Sequence, residues 1–191
     1  VKWQAAKDLM AAAKERGEDY AYLDCRWVHT SEKSRLTTRQ FNTYATADFF
    51  ANTGSVMARR LVPVIALKHG WCVWPFDARR AFLQVPETQL VVIVPPPEWQ
   101  TQPDYEPDSA WIAAVKWYGK RDAAQSWQEF FAEALVKTLG FKRHVKDPTK
   151  YGHASRQLFL DSHVDDGCAT GPSKSLEWLP GALADAGVDM K

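Results

Sequence analysis

Between Asp122 and Leu139 the apolar residues Trp127, Phe130, Phe131, Ala134, Leu135 and Leu139 return every three or four positions, and Gly140 ends the run, which predicts a helix. A second helix is predicted over 55–69. There Ser55 offers an N-cap, Gly70 a stop, and Val56, Leu61, Val64, Ile65 and Leu67 an apolar side that Pro63 would kink. Residues 1–16, rich in Ala, Lys and Glu and closed by Gly17, read as a helix as well. "PSKSLEWLPGALADAG" (172–187) reads as a closing helix broken at Pro180-Gly181. Strand patterns fill the rest. "YAYLDCRWVHT" (20–30) and "RLTTRQF" (35–41) flank the turn "SEKS" as a hairpin, "WCVWPFDA" (71–78) predicts a mostly buried strand ending at Asp77, and "LVVIV" (90–94) a second buried one. The proline-rich stretch 95–109 is a loop. "FKRHVKDPTKYG" and "SRQLFLDSHV" read as strands around a turn near Gly152, with "GCAT" returning antiparallel. Helices and antiparallel strands are thus mixed, which predicts an α+β fold.

Composition narrows the class. With 46% hydrophobic residues in 191, nine Trp and nine Phe, the chain can build a core of one domain's size. No apolar run approaches the roughly 18 residues that span a bilayer, and the N-terminus lacks a signal pattern, so an intracellular location, cytoplasmic or nuclear and not secreted, is expected. Cys25, Cys72 and Cys168 lie far apart without CxxC spacing and are expected to be buried free thiols. The balance of 24 basic to 23 acidic residues gives no global basic field, although Arg59-Arg60, Arg79-Arg80, Lys120-Arg121 and Lys142-Arg143 are local basic pairs. GxxxxGK[ST], GxGxxG, GxSxG and HExxH patterns are all missing.

The stretch "LFLDSHVDDGCATG" (158–171) asks for an explanation, because it drives three carboxylates and a histidine into its own turn. Strand alternation puts Leu158, Leu160, Ser162 and Val164 on one face, the core, and Phe159, Asp161, His163 and Asp165 on the other. Adjacent acids in a tight turn repel unless a cation lies between them. Asp suits turns, so the Asp165-Asp166 pair alone reads first as turn chemistry. Asp77, also at a strand end, is the natural third carboxylate, and three such acids suit Mg²⁺, which prefers hard oxygen ligands. Two such ions can activate a hydroxyl and stabilise a leaving oxygen in phosphoryl transfer.

Taken in order, these blocks resemble the reverse transcriptase domain of Ty1/copia-type retrotransposon polyproteins. "CRWVHTSEKSRLTTRQF" is similar to the family's opening fingers hairpin, "FDARRAFLQV" to its MDVKTAFLNG block, and "VPPPEW" to its proline-rich QPPGF. "WYGKRDAAQSWQEFFAEALVKTLGFKRHVKDPTKY" is similar to LYGLKQAPRAWY followed by LGFKRSKADPSLF, and "HVDDGCATGP" stands where YVDDLLLTGS belongs. The resemblance runs from about Cys25 to the last residue; with the helix of 1–16 read as an N-terminal extension (1–19), it implies a fingers-like part (20–70) and a palm-like part (71–191) of one truncated domain. Its palm would be an antiparallel sheet backed by helices, with the thumb and ribonuclease H parts expected beyond "GVDMK".

The resemblance also implies roles. Asp77, Asp165 and Asp166 would be the catalytic acids, holding two Mg²⁺ ions, or Mn²⁺ in their place, between a primer 3′-hydroxyl and an incoming nucleotide. Phe82 would crowd a ribose 2′-hydroxyl, its plain alternative being core packing. Tyr118 and Gly119 would form the nucleotide-pocket turn and Arg35 a triphosphate contact. Lys120, Arg121, Lys142 and Arg143 would position the RNA/DNA template-primer, with deoxynucleoside triphosphates as substrate. The function implied is RNA-directed DNA polymerase, and the alternative is an inactive, degenerate relic that keeps the fold and weak nucleic-acid binding. Departures from the family pattern favour the second: His163 for Tyr, Asp161 for an apolar residue, Gly167 for a β-former, and Asp122 and Ala124 for Gln and Pro. Each of the first three is expected to weaken the hairpin, and Asp122 to disfavour a bound triphosphate.

Overall fold

The computed structural model describes residues 1–40, 51, 54 and 59–191. The predicted cap Ser55, the apolar Val56 and the last residue of the expected hairpin, Phe41, lie outside the described residues. In chain order the elements are helix α1 (Trp3–Glu15), strands β1 (Tyr20–His29) and β2 (Ser34–Thr38), helix α2 (Leu61–His69) and strand β3 (Cys72–Asp77). Strands β4 (Leu90–Val94) and β5 (Trp111–Ile112) and helix α3 (Ala123–Glu133) follow. Last come strands β6 (Lys142–Arg143), β7 (Lys150–His153), β8 (Leu158–His163) and β9 (Asp166–Gly171), and helix α4 (Ser173–Asp185). Helix α3 continues into a π-helical turn, Ala134–Thr138, before Gly140 ends it.

These elements form two compact units, one from Val1–Asp48 with Val85–Ala123, the other from Phe49–Gln84 with Ala124–Lys191. Neither is contiguous, so the division differs from a cut at residue 70. The reason is that β4 pairs in parallel with β1, from Tyr20 opposite Leu90 to Asp24 opposite Val94, which draws residues 85–123 onto the N-terminal hairpin.

In the first unit the sheet order is β2-β1-β4-β5. β4 is buried on both faces, as a continuous apolar run requires. Val91 and Ile93 pack with Ala21, Leu23, Cys25 and Ala113, while Val92, one step along the pleat, packs on the other side with Ala110 and with Ala6 of α1.

The second unit holds an antiparallel sheet of order β3-β9-β8-β7-β6. Trp127, Phe131 and Leu135 of α3 are buried, and the Phe131 ring meets Phe76 of β3 and Tyr151 of β7 at centroid distances of 6.1 and 6.3 Å. Helix α4 packs on β3 and β9. It runs through Pro180 as one helix and does not break there. A proline inside a helix costs about 3 kcal/mol, whereas fully burying a leucine stabilises by roughly 1.5–3 kcal/mol. Leu176, Leu179 and Leu183 are all buried along the same stripe, so packing wins.

Two further expectations are corrected. β3 is largely exposed, because it lies at the sheet edge with β9 as its single strand neighbour, and an edge is also where Pro75 is tolerated. Of the three thiols Cys25 is buried, but Cys72, on that edge, is exposed and Cys168 half-buried. Pro63 falls in the first turn of α2, where a missing N–H breaks no bond. Among the described residues, no helix is long and apolar enough to cross a membrane.

Candidate active site

The β8–β9 hairpin closes through the two residues Val164 and Asp165. Val164 adopts φ 54°, a left-handed conformation costly for a β-branched side chain. Two contacts hold it: the Trp127 indole Nε1–H donates to the Val164 carbonyl at 2.5 Å, and Ala78 N–H donates to the Asp165 carbonyl at 2.6 Å. The second bond ties the turn to the end of β3. There Asp77 stands directly opposite Asp166 in the β3–β9 register, with Phe76 opposite Gly167. Opposed residues of antiparallel strands have Cα atoms about 4.5–5.5 Å apart. The strand order therefore brings the backbones of Asp77, Asp165 and Asp166 to one end of one sheet, from positions 88 residues apart in sequence.

The side chains of Asp77 and Asp166 are engaged with cations of the chain itself. Lys191 Nζ donates to Asp77 Oδ2 at 2.8 Å, and the Arg59 guanidinium lies 3.8 Å from Asp166 Oδ1. Asp165 is exposed. Hard carboxylate oxygens suit Mg²⁺, but among the described residues no three His, Cys, Asp or Glu side chains form a group that could hold a metal ion. As folded, the three acids are gathered at one sheet end along the backbone, and their side chains do not form a metal cage among the described residues.

The unusual residues around the hairpin are compensated. Asp161 is buried against expectation, because Lys150 lies opposite it on β7 and its ammonium bonds Asp161 Oδ1. Lys150 Nζ also donates to Thr149 Oγ1 at 2.9 Å. Asp147 nearby is lowered below its ordinary value, since hydrogen bonds from Thr149 and the charge of Lys150 outweigh its burial. Gly167 leaves room for the Phe76 ring, which a Cβ there would meet at 2.4 Å. His163 is half-buried, and its Nδ1 has no hydrogen-bond partner among the described residues. Phe82 is half-buried in the short 3₁₀ turn Ala81–Gln84, five residues beyond Asp77.

In the first unit, Arg35, Tyr118 and Gly119 come together. The Arg35 guanidinium lies 5.6 Å from the Tyr118 ring centroid, and the Tyr118 carbonyl accepts from Thr38 N–H and Thr38 Oγ1 at 2.8 and 3.1 Å. Gly119 has φ 87°, and a Cβ on it would sit 2.0 Å from the Thr38 carbonyl oxygen. What needs its missing side chain is the backbone of β2, whereas the sequence reading had assigned that space to a nucleotide.

Lys120 is not a surface cation. It is buried with Lys116, Glu87 and Asp122 in a cluster of two ammonium and two carboxylate groups, with Lys116 2.6 Å from both acids and Lys120 2.7 Å from Glu87. Burial alone pushes the Glu87 and Asp122 carboxyls up, but hydrogen bonds and charge from Lys116 and Lys120 outweigh it and hold both below their ordinary values. Burial likewise pushes Lys116 down, and its bonds to Asp122 and Glu87 leave it raised. Asp122 therefore enters as part of a neutral cluster and not as a lone acid. Arg121 is half-buried, and its N–H donates to Gln40 Oε1 at 2.9 Å. In the second unit Lys142 is exposed, while Arg143 is tied to the Pro148 carbonyl at 2.6 Å and lies over the Tyr151 ring. With His144 and Lys146 they line an open depression of about 480 Å³.

The sequence reading named Arg59 only as a basic pair with Arg60 and missed its place beside Asp166; it also missed Lys191 and the two buried ion clusters. The partner of Asp161 is Lys150, which faces it only through the pairing of β7 with β8.

No family model matches the chain. It is similar to two curated proteins of Arabidopsis thaliana, the retrovirus-related Pol polyproteins from transposons RE2 and RE1, at 24% identity over 78% and 81% of this chain. This chain is distantly related to retrotransposon Pol polyproteins. It spans 11% of the length of either relative. This similarity supports the retrotransposon part of the sequence reading.

Proposed function

We propose that this chain is the fingers-and-palm part of a copia-type reverse transcriptase domain, whose chemistry is RNA-directed DNA synthesis. One observation carries the reading: Asp77 lies opposite Asp166, with Asp165 in the turn beside them. Three carboxylates delivered to one sheet end by two separate strands are what metal-assisted nucleotidyl transfer needs from a protein, and a chance Asp-Asp turn explains neither Asp77 nor the similarity to Pol polyproteins. In this reading Phe82 borders the sugar of the incoming deoxynucleotide, and the Arg35 guanidinium is of the type that meets phosphates as a bidentate donor. Lys142, the exposed member of the basic set, touches the template-primer backbone together with Arg143, without reading sequence. Lys120 drops out of that set because it is interior.

A second reading is favoured by a specific observation. Lys191 and Arg59 hold two of the three acids, as expected of a palm that keeps its fold and has lost its chemistry. Mg²⁺-dependent extension of a DNA primer on an RNA template separates the two. Extension by the chain that is abolished in Asp165→Asn is the expected result; no extension by a folded chain would leave the inactive relic.

A further inference from the structure

The turn between β6 and β7, residues 144–149, uses its one acid internally and leaves its bases outside. Asp147 Oδ1 accepts from Thr149 N–H and Thr149 Oγ1 at 3.2 and 2.6 Å, and Asp147 Oδ2 lies 3.4 Å from the buried Lys150 ammonium. Asp147 N–H donates to His144 Nδ1 at 3.0 Å. A ring that accepts at Nδ1 is the neutral tautomer with its proton on Nε2, so this bond leaves His144 one N–H to donate. The turn is fixed to β8 as well, since the Thr149 carbonyl accepts from Ser162 N–H at 2.9 Å. Val145 is 97% exposed, so the turn stands clear of the fold. Lys142, His144 and Lys146 are exposed, and Arg143 is held in place by its Nε bond to the Pro148 carbonyl. These four line the depression of about 480 Å³ together with Gly152 and Phe159, and among the described residues no carboxylate lines it.

We propose that this depression binds the phosphate backbone of a nucleic acid, with His144 and Lys146 acting beside Lys142 and Arg143. The inference rests on the proposed reading for the identity of the polyanion. Backbone phosphates are negative and accept hydrogen bonds, and three cations with one neutral N–H donor and no acid among them are the complement. The volume lies in the range of about 300–1,000 Å³ that takes a small organic group. Gly152 keeps it open, because a Cβ there would meet no atom within 4 Å. Register gives the site its place. β7 begins at Lys150, opposite Asp161, and β9 begins at Asp166, opposite His163 and Asp77, so the turn and the three acids share one end of one sheet. Two to three strand spacings of about 4.8 Å separate β9 from the turn, roughly 10–15 Å. With a phosphate about every 3.4 Å along each strand of a duplex, a strand that ends at the acids carries phosphates past the turn.

Binding of a fluorescein-labelled RNA/DNA primer-template duplex to the whole chain, read by anisotropy at pH 8 across a range of salt, tests this. Lys142→Gln and Lys146→Gln are each expected to lower the slope of log K against log salt by about 0.9, the duplex value for one phosphate contact. His144→Asn, which keeps an acceptor for Asp147 N–H, is expected to weaken binding about fivefold at constant slope, the scale of one hydrogen bond without a charge. Gly152→Leu fills the depression and weakens binding with an unchanged melting point. Lys174→Gln, an exposed cation of α4 outside the depression, leaves slope and affinity as they are. No saturable binding by the parent, unchanged slopes in both lysine variants, or an equal fall in Lys174→Gln overturns the inference. Parallel primer extension keeps the two claims apart. Extension with unchanged slopes sinks the phosphate site and leaves the polymerase reading standing. Lowered slopes without extension by any variant or the parent keep the site and sink that reading.

Discussion

Lys150→Met isolates a charge that the fold has buried. Lys150 and Asp161 face each other across β7 and β8, with side chains 6% and 4% exposed, and the lysine is the group that makes an acid tolerable in the middle of the hairpin strand. Removing one partner of a buried pair costs about 3–5 kcal/mol, because the remaining charge has neither water nor counter-ion. That is a large part of the roughly 5–15 kcal/mol that holds a domain folded. With a urea dependence of about 2 kcal/mol per molar, the unfolding midpoint falls by roughly 1.5–2.5 M. Tryptophan fluorescence reports it, since Trp127 is buried in the same unit. The double change Lys150→Met with Asp161→Leu removes both charges and returns the midpoint to within about 0.5 M of the parent, as apolar replacement of an ion pair does. A single variant whose midpoint moves by less than about 0.5 M, on the same scale, would mean that Asp161 is solvated and that the burial argument is wrong.

The ion cluster of the first unit makes acid sensitivity predictable. Glu87 and Asp122 are held below their ordinary values of 4.5 and 3.8, so their stabilisation is complete above those values and lost as pH falls through the lower folded ones; Lys116, raised above 10.5, loses its share as pH rises through its folded value. The gap between thermal melts of the parent and Asp122→Asn therefore begins to close below about pH 3.8 and vanishes only below the lower folded value, and a gap that stays constant into acid counts against the cluster. Gly119→Ala must move the Thr38 backbone, so it costs well over about 1 kcal/mol. Gly17→Ala, with a similar φ of 69° but open space around it, costs about 1–2 kcal/mol; equal melting points for the two variants would remove the close approach from the account. Aromatic disulfide labelling at pH 8 should modify the exposed Cys72 first and Cys25 last, because burial pushes the Cys25 thiol up to about 11. Labelling Cys25 as fast as Cys72 refutes its placement.

Elements that depend on local pattern were legible in the sequence. The α3 stripe from Trp127 to Leu135, the β1–β2 hairpin and the strand ending at Asp77 follow from periodicity and turn residues, and the structure places them where the pattern does. Properties that depend on a distant partner were not. The exposure of β3 follows from its edge position, and the parallel pairing of β4 with β1 joins residues 70 apart; no window of sequence contains either fact. Pro180 misled because local propensity was weighed without the leucines that bury α4. For the site, Asp77 and the Asp165-Asp166 turn were recognised from their blocks. What surrounds them was misread in one consistent way: each odd residue was taken alone, while the fold supplies its complement. Lys150 answers Asp161, Phe76 fills the space over Gly167, and two lysines neutralise Asp122 with Glu87. Lys191 and Arg59 lay outside every motif, and topology alone brings them to the acids.

The strand register that gathers the acids is the claim on which the rest depends, and paired cysteines measure it. In a chain whose own cysteines are changed to Ser, Asp77→Cys with Asp166→Cys should cross-link under mild oxidation, because facing strand residues fall within the roughly 4.4–6.8 Å Cα separation that a disulfide spans. Val73→Cys with Asp166→Cys, several residues out of register, should not. Cross-linking of the first pair alone is the predicted result. Failure of that pair in a folded chain, or equal cross-linking of both, would contradict the register and with it the polymerase reading.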